Sequence, residues 1–151
     1  MKTKEIKKVL IAMDYDETSQ KVAEQGFAMA KAINAEIILL HVISEQLVYY
    51  SSYTYMREWR VDIMGDLEKS VREFLEKAKK SLGDDSIQTV VEFGEIAAII
   101  LGTAKDLNAD IIVIGSHSRN WLENIILGSQ AADVLKKTTI PLYIIPTKKQ
   151  N

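Results

Sequence analysis

Ile111-Ile-Val-Ile-Gly115, followed by Ser116-His-Ser-Arg-Asn-Trp-Leu-Glu-Asn-Ile-Ile-Leu-Gly-Ser129, is the stretch on which the reading of this chain turns. A short run of Ile and Val, apolar without alternation and closed by a glycine, reads as a strand covered on both faces. The glycine lets backbone come close to a ligand. Gly128-Ser129 then opens a helical pattern that passes through Ala132 and Leu135 to Lys137. The free amides and the dipole of such a helix start attract an anion, and Ser129 can either cap the helix or contact a phosphate. Arg119, in the loop between, can add charge-assisted contacts. Taken by composition alone, the same residues are equally satisfied by a turn and an ordinary capped helix.

Working outward, four more apolar runs share the character of this strand: Val9–Met13, Ile37–Val42, Ile87–Val91 and Leu142–Ile145. Helical patterns lie between them. Val22, Gly26, Phe27, Ala30 and Ile33 mark one from Thr18 to Ile33. Ile63, Leu67, Val71, Phe74, Leu75, Ala78 and Leu82 mark one from Val61 to Leu82. Ile96, Ile99, Ile100, Ala104 and Leu107 mark one from Glu95 to Leu107. All follow the 3.6-residue period, with Glu and Lys on the opposite faces. Strands alternating with helices imply right-handed βαβ units and a parallel sheet. The expectation is a three-layer α/β/α sandwich, Rossmann-like, with five parallel strands in the order 3-2-1-4-5. Such a sheet binds ligands beyond the carboxyl ends of strands one and four, where the strand order reverses. Asp14 and Asp16 stand at the other lip of that crevice. Either carboxylate can meet a ribose, a base or a metal there, and Asp16 or Thr18 can equally cap the first helix.

With 151 residues and no composition break, one domain spanning 1–151 is expected. A chain of this length buries about 70% of its unfolded surface and needs no disulfide or metal staple. It contains no cysteine, which excludes thiol catalysis and thiolate zinc sites. A net charge of −2 argues against a nucleic-acid-binding domain. The longest apolar run, Ile96–Leu101, is far short of a membrane span, and the basic start does not read as a signal peptide, so the expected location is cytoplasmic. His41 and His117 are the only histidines and do not suggest a metal site; His41-Val42 reads as the structural close of strand two. There is no P-loop, no dinucleotide fingerprint after the first strand and no nucleophile elbow. Segment 44–60 carries four of the six tyrosines and is long for a connection. It reads as a surface loop packed on itself, a lid over a ligand or part of an interface.

The chain resembles the universal stress protein family, and the resemblance covers nearly all of it. The residues that carry it are Lys8-Val-Leu-Ile-Ala-Met-Asp14, Leu39-Leu-His-Val42, Gly94-Glu95-Ile-Ala97, Ala109-Asp-Ile-Ile-Val-Ile-Gly115, Gly128-Ser-Gln-Ala-Ala-Asp-Val-Leu135 and Ile140-Pro-Leu-Tyr-Ile-Ile145. Nucleotide-binding members of that family carry Gly-x2-Gly-x9-Gly-Ser/Thr. Here the frame is Gly115-x2-Ser118-x9-Gly128-Ser129, with its spacing kept and a serine in place of the second glycine. Serine costs about 1 kcal/mol or more if that position needs a positive φ. If the position only brings backbone close to phosphates, its hydroxyl adds a contact.

The resemblance implies an adenine nucleotide alpha hydrolase-like fold and a stress-response regulatory protein that binds ATP or AMP. Ala12, Asp14 and Val42 would border adenine and ribose. Gly115, Ser116, His117, Ser118 and Arg119 would wrap ribose and phosphates, and Gly128, Ser129 and Gln130 would hold phosphates at the helix start. Asp14 would also serve a Mg²⁺ carried in by the nucleotide. A homodimer through the last strand, Leu142, Tyr143, Ile144 and Ile145, is implied as well. It suits an apolar edge strand that would otherwise risk aggregation. No general base or attacking-water site is evident, so hydrolysis would be at most slow. A nucleotide-free interaction dimer, and a very slow ATPase, are the alternative readings.

Overall fold

A computed structural model describes residues 2–44, 57–116 and 127–147, with side chains of the second helix described from Met64 onward. Five strands are present: β1 (Lys8–Ala12), β2 (Glu36–Ser44), β3 (Gln88–Gly94), β4 (Ile111–Gly115) and β5 (Leu142–Ile145). Four helices accompany them: α1 (Ser19–Ala32), α2 (Arg57–Leu82), α3 (Ile96–Asp106) and α4 (Ser129–Lys137). The strands form one sheet in the order β3-β2-β1-β4-β5, parallel at every pairing. This is the Rossmann-like α/β arrangement and strand order expected from the sequence.

Alternate strand residues point to opposite faces. Val9, Ile11, Leu39 and Val113 pack with Val22, Ala23 and Ala30 of α1 and Val71 and Leu75 of α2. Leu10, Ile38, Leu40, Val42, Ile112 and Ile114 pack on the other face with Ala97, Ile100 and Ala104 of α3 and Ala131 and Val134 of α4. The central strands are therefore apolar at successive positions, as their sequence required.

Two of the turns that feed these strands share one solution. α1 and α3 each end in a hydrophobic residue, an asparagine and an alanine. Asn34 and Asn108 take positive φ, 55° and 57°, a conformation that asparagine tolerates better than most residues. The next amides reach back to the last helical turn, Ala35 N–H to the Ala30 carbonyl at 2.9 Å and Ala109 N–H to Ala104 at 2.8 Å. These bonds satisfy carbonyls that the helix ends would otherwise leave orphaned.

The edges differ from the sequence reading. β2 runs on through Ile43 and Ser44, and β3 spans Gln88–Gly94 instead of Ile87–Val91. Pairing continues to Ile43↔Phe93 and Ser44↔Gly94 because the backbone ladder does not depend on side-chain polarity. As an edge strand, β3 leaves Glu92 and Phe93 in solvent, where an apolar-run criterion stops. Ile87 is buried in the turn before β3, its N–H on the Asp84 carbonyl at 3.3 Å. α2 begins at Arg57, four residues' worth of chain before the expected Val61. Along β5, Tyr143 is exposed, Leu142 and Ile144 are half-buried and Ile145 is buried in the protein's own core. Ile145 thus has only backbone to offer a second copy.

Glu95 supplies the cap of α3, its carboxylate accepting from Ala97 N–H at 3.2 Å and Ala98 N–H at 2.8 Å. Glu95→Ala is expected to cost about 1 kcal/mol, read as a lower urea midpoint with an unchanged slope.

Two carboxylates tie the other end of the sheet. Asp110 accepts from Lys7 N–H at 2.9 Å and Lys8 N–H at 3.1 Å and pairs with Lys4 Nζ at 3.0 Å. The Lys7 amide, then the Lys4 ammonium, hold its pKa below the usual 3.8. Asp84 is lowered to about 2, first by the Lys31 ammonium and then by the hydroxyl and amide of Ser86. A carboxylate with a depressed folded pKa adds stability that is complete above its ordinary value and fades as pH falls through the folded value. Asp84→Asn is therefore expected to lower the melting temperature at pH 7 and to converge on the parent protein as pH drops from about 4 towards 2. A difference that persists undiminished to pH 2 would refute the assignment.

Candidate functional site

The site is built where β1 and β4 lie side by side at the centre of the sheet. Their register, Ile11↔Val113, brings the chain leaving β1 at Met13-Asp14 beside the chain leaving β4 at Gly115-Ser116. β2 and β3 lie on one side of this pair and β5 on the other, so the two connections diverge and leave a crevice. Ala12 and Val42 pack on the α3/α4 face, the face to which α4 belongs. Asp14 is exposed at the exit of β1.

Opposite it, Ser116 organises the other lip. Its N–H donates to the Ile145 carbonyl at 2.9 Å, its carbonyl accepts from Gly128 N–H at 3.0 Å and its hydroxyl accepts from Thr147 N–H at 3.1 Å. One residue thus joins the end of β4, the start of α4 and the end of β5. Thr147 is buried, and its hydroxyl has no protein partner among the described residues. Gly115 is closely surrounded: a Cβ there would stand 3.1 Å from Val22 Cγ2 and 3.2 Å from Thr147 Cγ2.

The cap of α4 is Gly128, not Ser129. Gly128 is extended, with φ −64° and ψ 157°, and no side chain caps the helix. Ser129 is the first helical residue, and it and Gln130 are exposed. The first-turn amides have no intrahelical carbonyl, and among the described residues no side chain caps them and the first turn carries no acidic residue. That donor set fits a phosphate.

Asp16, the other acidic candidate, is engaged locally: its carboxylate accepts from Thr18 N–H at 2.8 Å and Thr18 Oγ1 at 2.6 Å, and its carbonyl from Ser19 Oγ at 2.8 Å. This is the entry turn of α1. Among the described residues no cluster of three metal-ligating side chains exists.

Ala12, Asp14, Val42, Gly115, Ser116, Gly128, Ser129 and Gln130 thus all lie on the carboxyl edge of the sheet or at the start of α4. His117, Ser118 and Arg119 lie outside the described residues, as does most of the tyrosine-rich segment. Sequence reasoning missed Thr147 and Lys21, whose Nζ reaches the Pro146 carbonyl at 2.6 Å, because nothing local marks either residue. His41, read as the structural close of strand two, has its Nδ1 2.6 Å from the Met13 carbonyl.

A parallel sheet in this order, with helices on both faces, defines a Rossmann-like α/β protein. The sequence model of the universal stress protein family matches residues 5–146, and the chain belongs to that family. It is 33% identical over 144 residues to universal stress protein YxiE of Bacillus subtilis, covering 91% of this chain and 97% of that one. Over 155 residues it is 27% identical to universal stress protein MJ0577 of Methanocaldococcus jannaschii, with 94% and 96% covered. The solved structure of MJ0577 superposes with a TM-score of 0.79 at 28% identity, over 97% of this chain and 99% of that chain. A universal stress protein solved in complex with cAMP superposes with a TM-score of 0.66 at 20% identity, over 96% of this chain and 100% of that one. At that identity the likeness is one of fold. Among the described residues no helix is long and apolar enough to cross a membrane.

Proposed function

We propose that this chain is a cytoplasmic, adenine-nucleotide-binding regulatory protein of the stress response, one domain spanning residues 1–151, and that it acts as a homodimer. The observation that carries the reading is the start of α4. It is capped by a glycine with no side chain, tethered to Ser116 at 3.0 Å and set at the crevice where the strand order reverses. An anionic ligand there meets backbone amides and a helix dipole in a protein whose net charge of −2 would otherwise repel it slightly. Ala12 and Val42 offer an apolar border for adenine and Asp14 a carboxylate for ribose or for a phosphate-borne Mg²⁺. Gly115, Ser116, His117, Ser118 and Arg119 form the loop around ribose and phosphates, and Ser129 and Gln130 extend the phosphate contacts. The role we read for the site is occupancy by the nucleotide, with very slow ATP hydrolysis as the alternative.

The homodimer rests on β5, which pairs on one side with β4 and is the last strand of the sheet among the described residues. Tyr143, on the strand itself, is exposed. Continuing the sheet there would cover an apolar edge.

Denaturing freshly purified protein and identifying the small molecule released tests the nucleotide reading. An adenine nucleotide equimolar with the chain is expected. Its absence, together with no heat of binding for ATP or AMP at millimolar concentration, would overturn the reading in favour of a nucleotide-free dimer.

A further inference from the structure

His41 stands where β1 leaves the sheet. The β1–β2 register ends at Ala12↔Leu40, and the last backbone bond across it is Met13 N–H to the Leu40 carbonyl at 2.8 Å. Beyond that point β2 continues to Ser44 while β1 turns off towards α1. Met13 is buried, so its carbonyl needs a donor, and the His41 side chain provides one, Nδ1 to oxygen at 2.6 Å. A carbonyl only accepts, so the proton of this bond sits on Nδ1.

The same imidazole faces the residue on the far side of Asp14. The Tyr15 ring lies 6.1 Å from the His41 ring, tilted by 57°, and meets Phe74 of α2 edge-on at 4.8 Å. Asp14 is thus held between two anchored neighbours: Met13 through its carbonyl and Tyr15 through its ring. We propose that His41 is a positioning residue for the nucleotide site, fixing the Asp14 lip of the crevice through Met13 and Tyr15 without touching the ligand itself. This rests on the adenine-nucleotide reading above.

Side-chain isosteres separate the hydrogen bond from mere bulk. Asparagine places an amide N–H close to the position of Nδ1, whereas glutamine places it near Nε2. ATP affinity by calorimetry is expected to fall about tenfold in His41→Ala and His41→Gln and to stay within about twofold of the parent in His41→Asn. ¹⁵N relaxation of the Asp14 amide should show added motion in the first two variants and not in the third, and urea unfolding verifies that each variant is folded. Equal losses in all three variants, or no loss in any, would overturn the proposal. A parent protein that binds no ATP would overturn the nucleotide reading instead. The relaxation data then decide the positioning role by themselves: an Asp14 amide equally rigid in the parent and His41→Ala refutes it, and added motion in His41→Ala that is absent in His41→Asn upholds it.

Discussion

Gly115→Val is expected to abolish ATP binding at concentrations that saturate the parent protein. The first carbon of any side chain at Gly115 already crowds Val22 Cγ2 at 3.1 Å and Thr147 Cγ2 at 3.2 Å. These contacts are tight enough that each neighbour must give by a few tenths of an ångström. Valine adds two methyl groups to the same space. Thr147 cannot move alone, because its N–H is bonded to the Ser116 hydroxyl, and Ser116 is bonded in turn to Gly128 at the start of α4. Displacement therefore passes directly to the amides that would hold the phosphates. Overpacking of this kind costs about 1–3 kcal/mol of stability. Urea unfolding should show a folded but weakened protein, and Gly115→Ala should lie between parent and valine in both readouts. Gly115→Val binding ATP with the parent's affinity would move the site away from the β4 exit.

The second large effect is expected at Gly26, where α1 crosses the sheet. A Cβ there would stand 2.8 Å from Ile11 Cδ1 and 3.1 Å from both Ile11 Cγ1 and Val113 Cγ1. Ile11 and Val113 are fully buried, on the two adjacent central strands. Gly26→Leu forces four carbons into that contact, and the helix must lift off the sheet or the strands must repack. A loss of about 3 kcal/mol is expected, or roughly 6–12 °C in Tm. Gly26→Ala should be nearly neutral. The flexible end of Ile11 can rotate away from one methyl group, and alanine gains about 1 kcal/mol over glycine within a helix. Thermal unfolding of the two variants checks the pair. A leucine variant that melts with the parent would show that α1 is not seated so closely.

Most of the architecture was legible in the chain because it depends on local periodicity. Val9–Met13 and Ile111–Ile114 carry no alternation, so both their faces had to be covered, and helical stripes such as Val71, Leu75 and Leu82 supplied the covers. Parallel strands joined by helices then leave few orders for the sheet. Where periodicity fails, so did the reading. Glu92, Phe93 and Gly94 extend β3 because β2 offers them a ladder, a property of the neighbour and not of their own side chains. Gly94 itself takes φ +147°, beyond the reach of any apolar count.

The site divides the same way. Gly115, Gly128 and Asp14 could be named from the chain through the resemblance to the family's motif, since by composition alone a turn and a capped helix explain them equally well. Their roles could not be assigned from the chain alone. Ser129 stood as a possible cap, and the fold gives that position to Gly128. Ser116 is expected beside the ligand, and the fold adds that it joins β4, α4 and Thr147. His41 stood as a strand end, and the fold places it against Met13 and Tyr15. Sequence by itself determined the layers, the strand order and which turns line the crevice, since helix and strand periods and right-handed crossovers act over short spans of chain. Only tertiary structure decided which hydrogen bonds hold those turns in place. Ser116 and Thr147, like Met13 and His41, are partners across strands, and no local pattern records a contact made between separate segments of the chain.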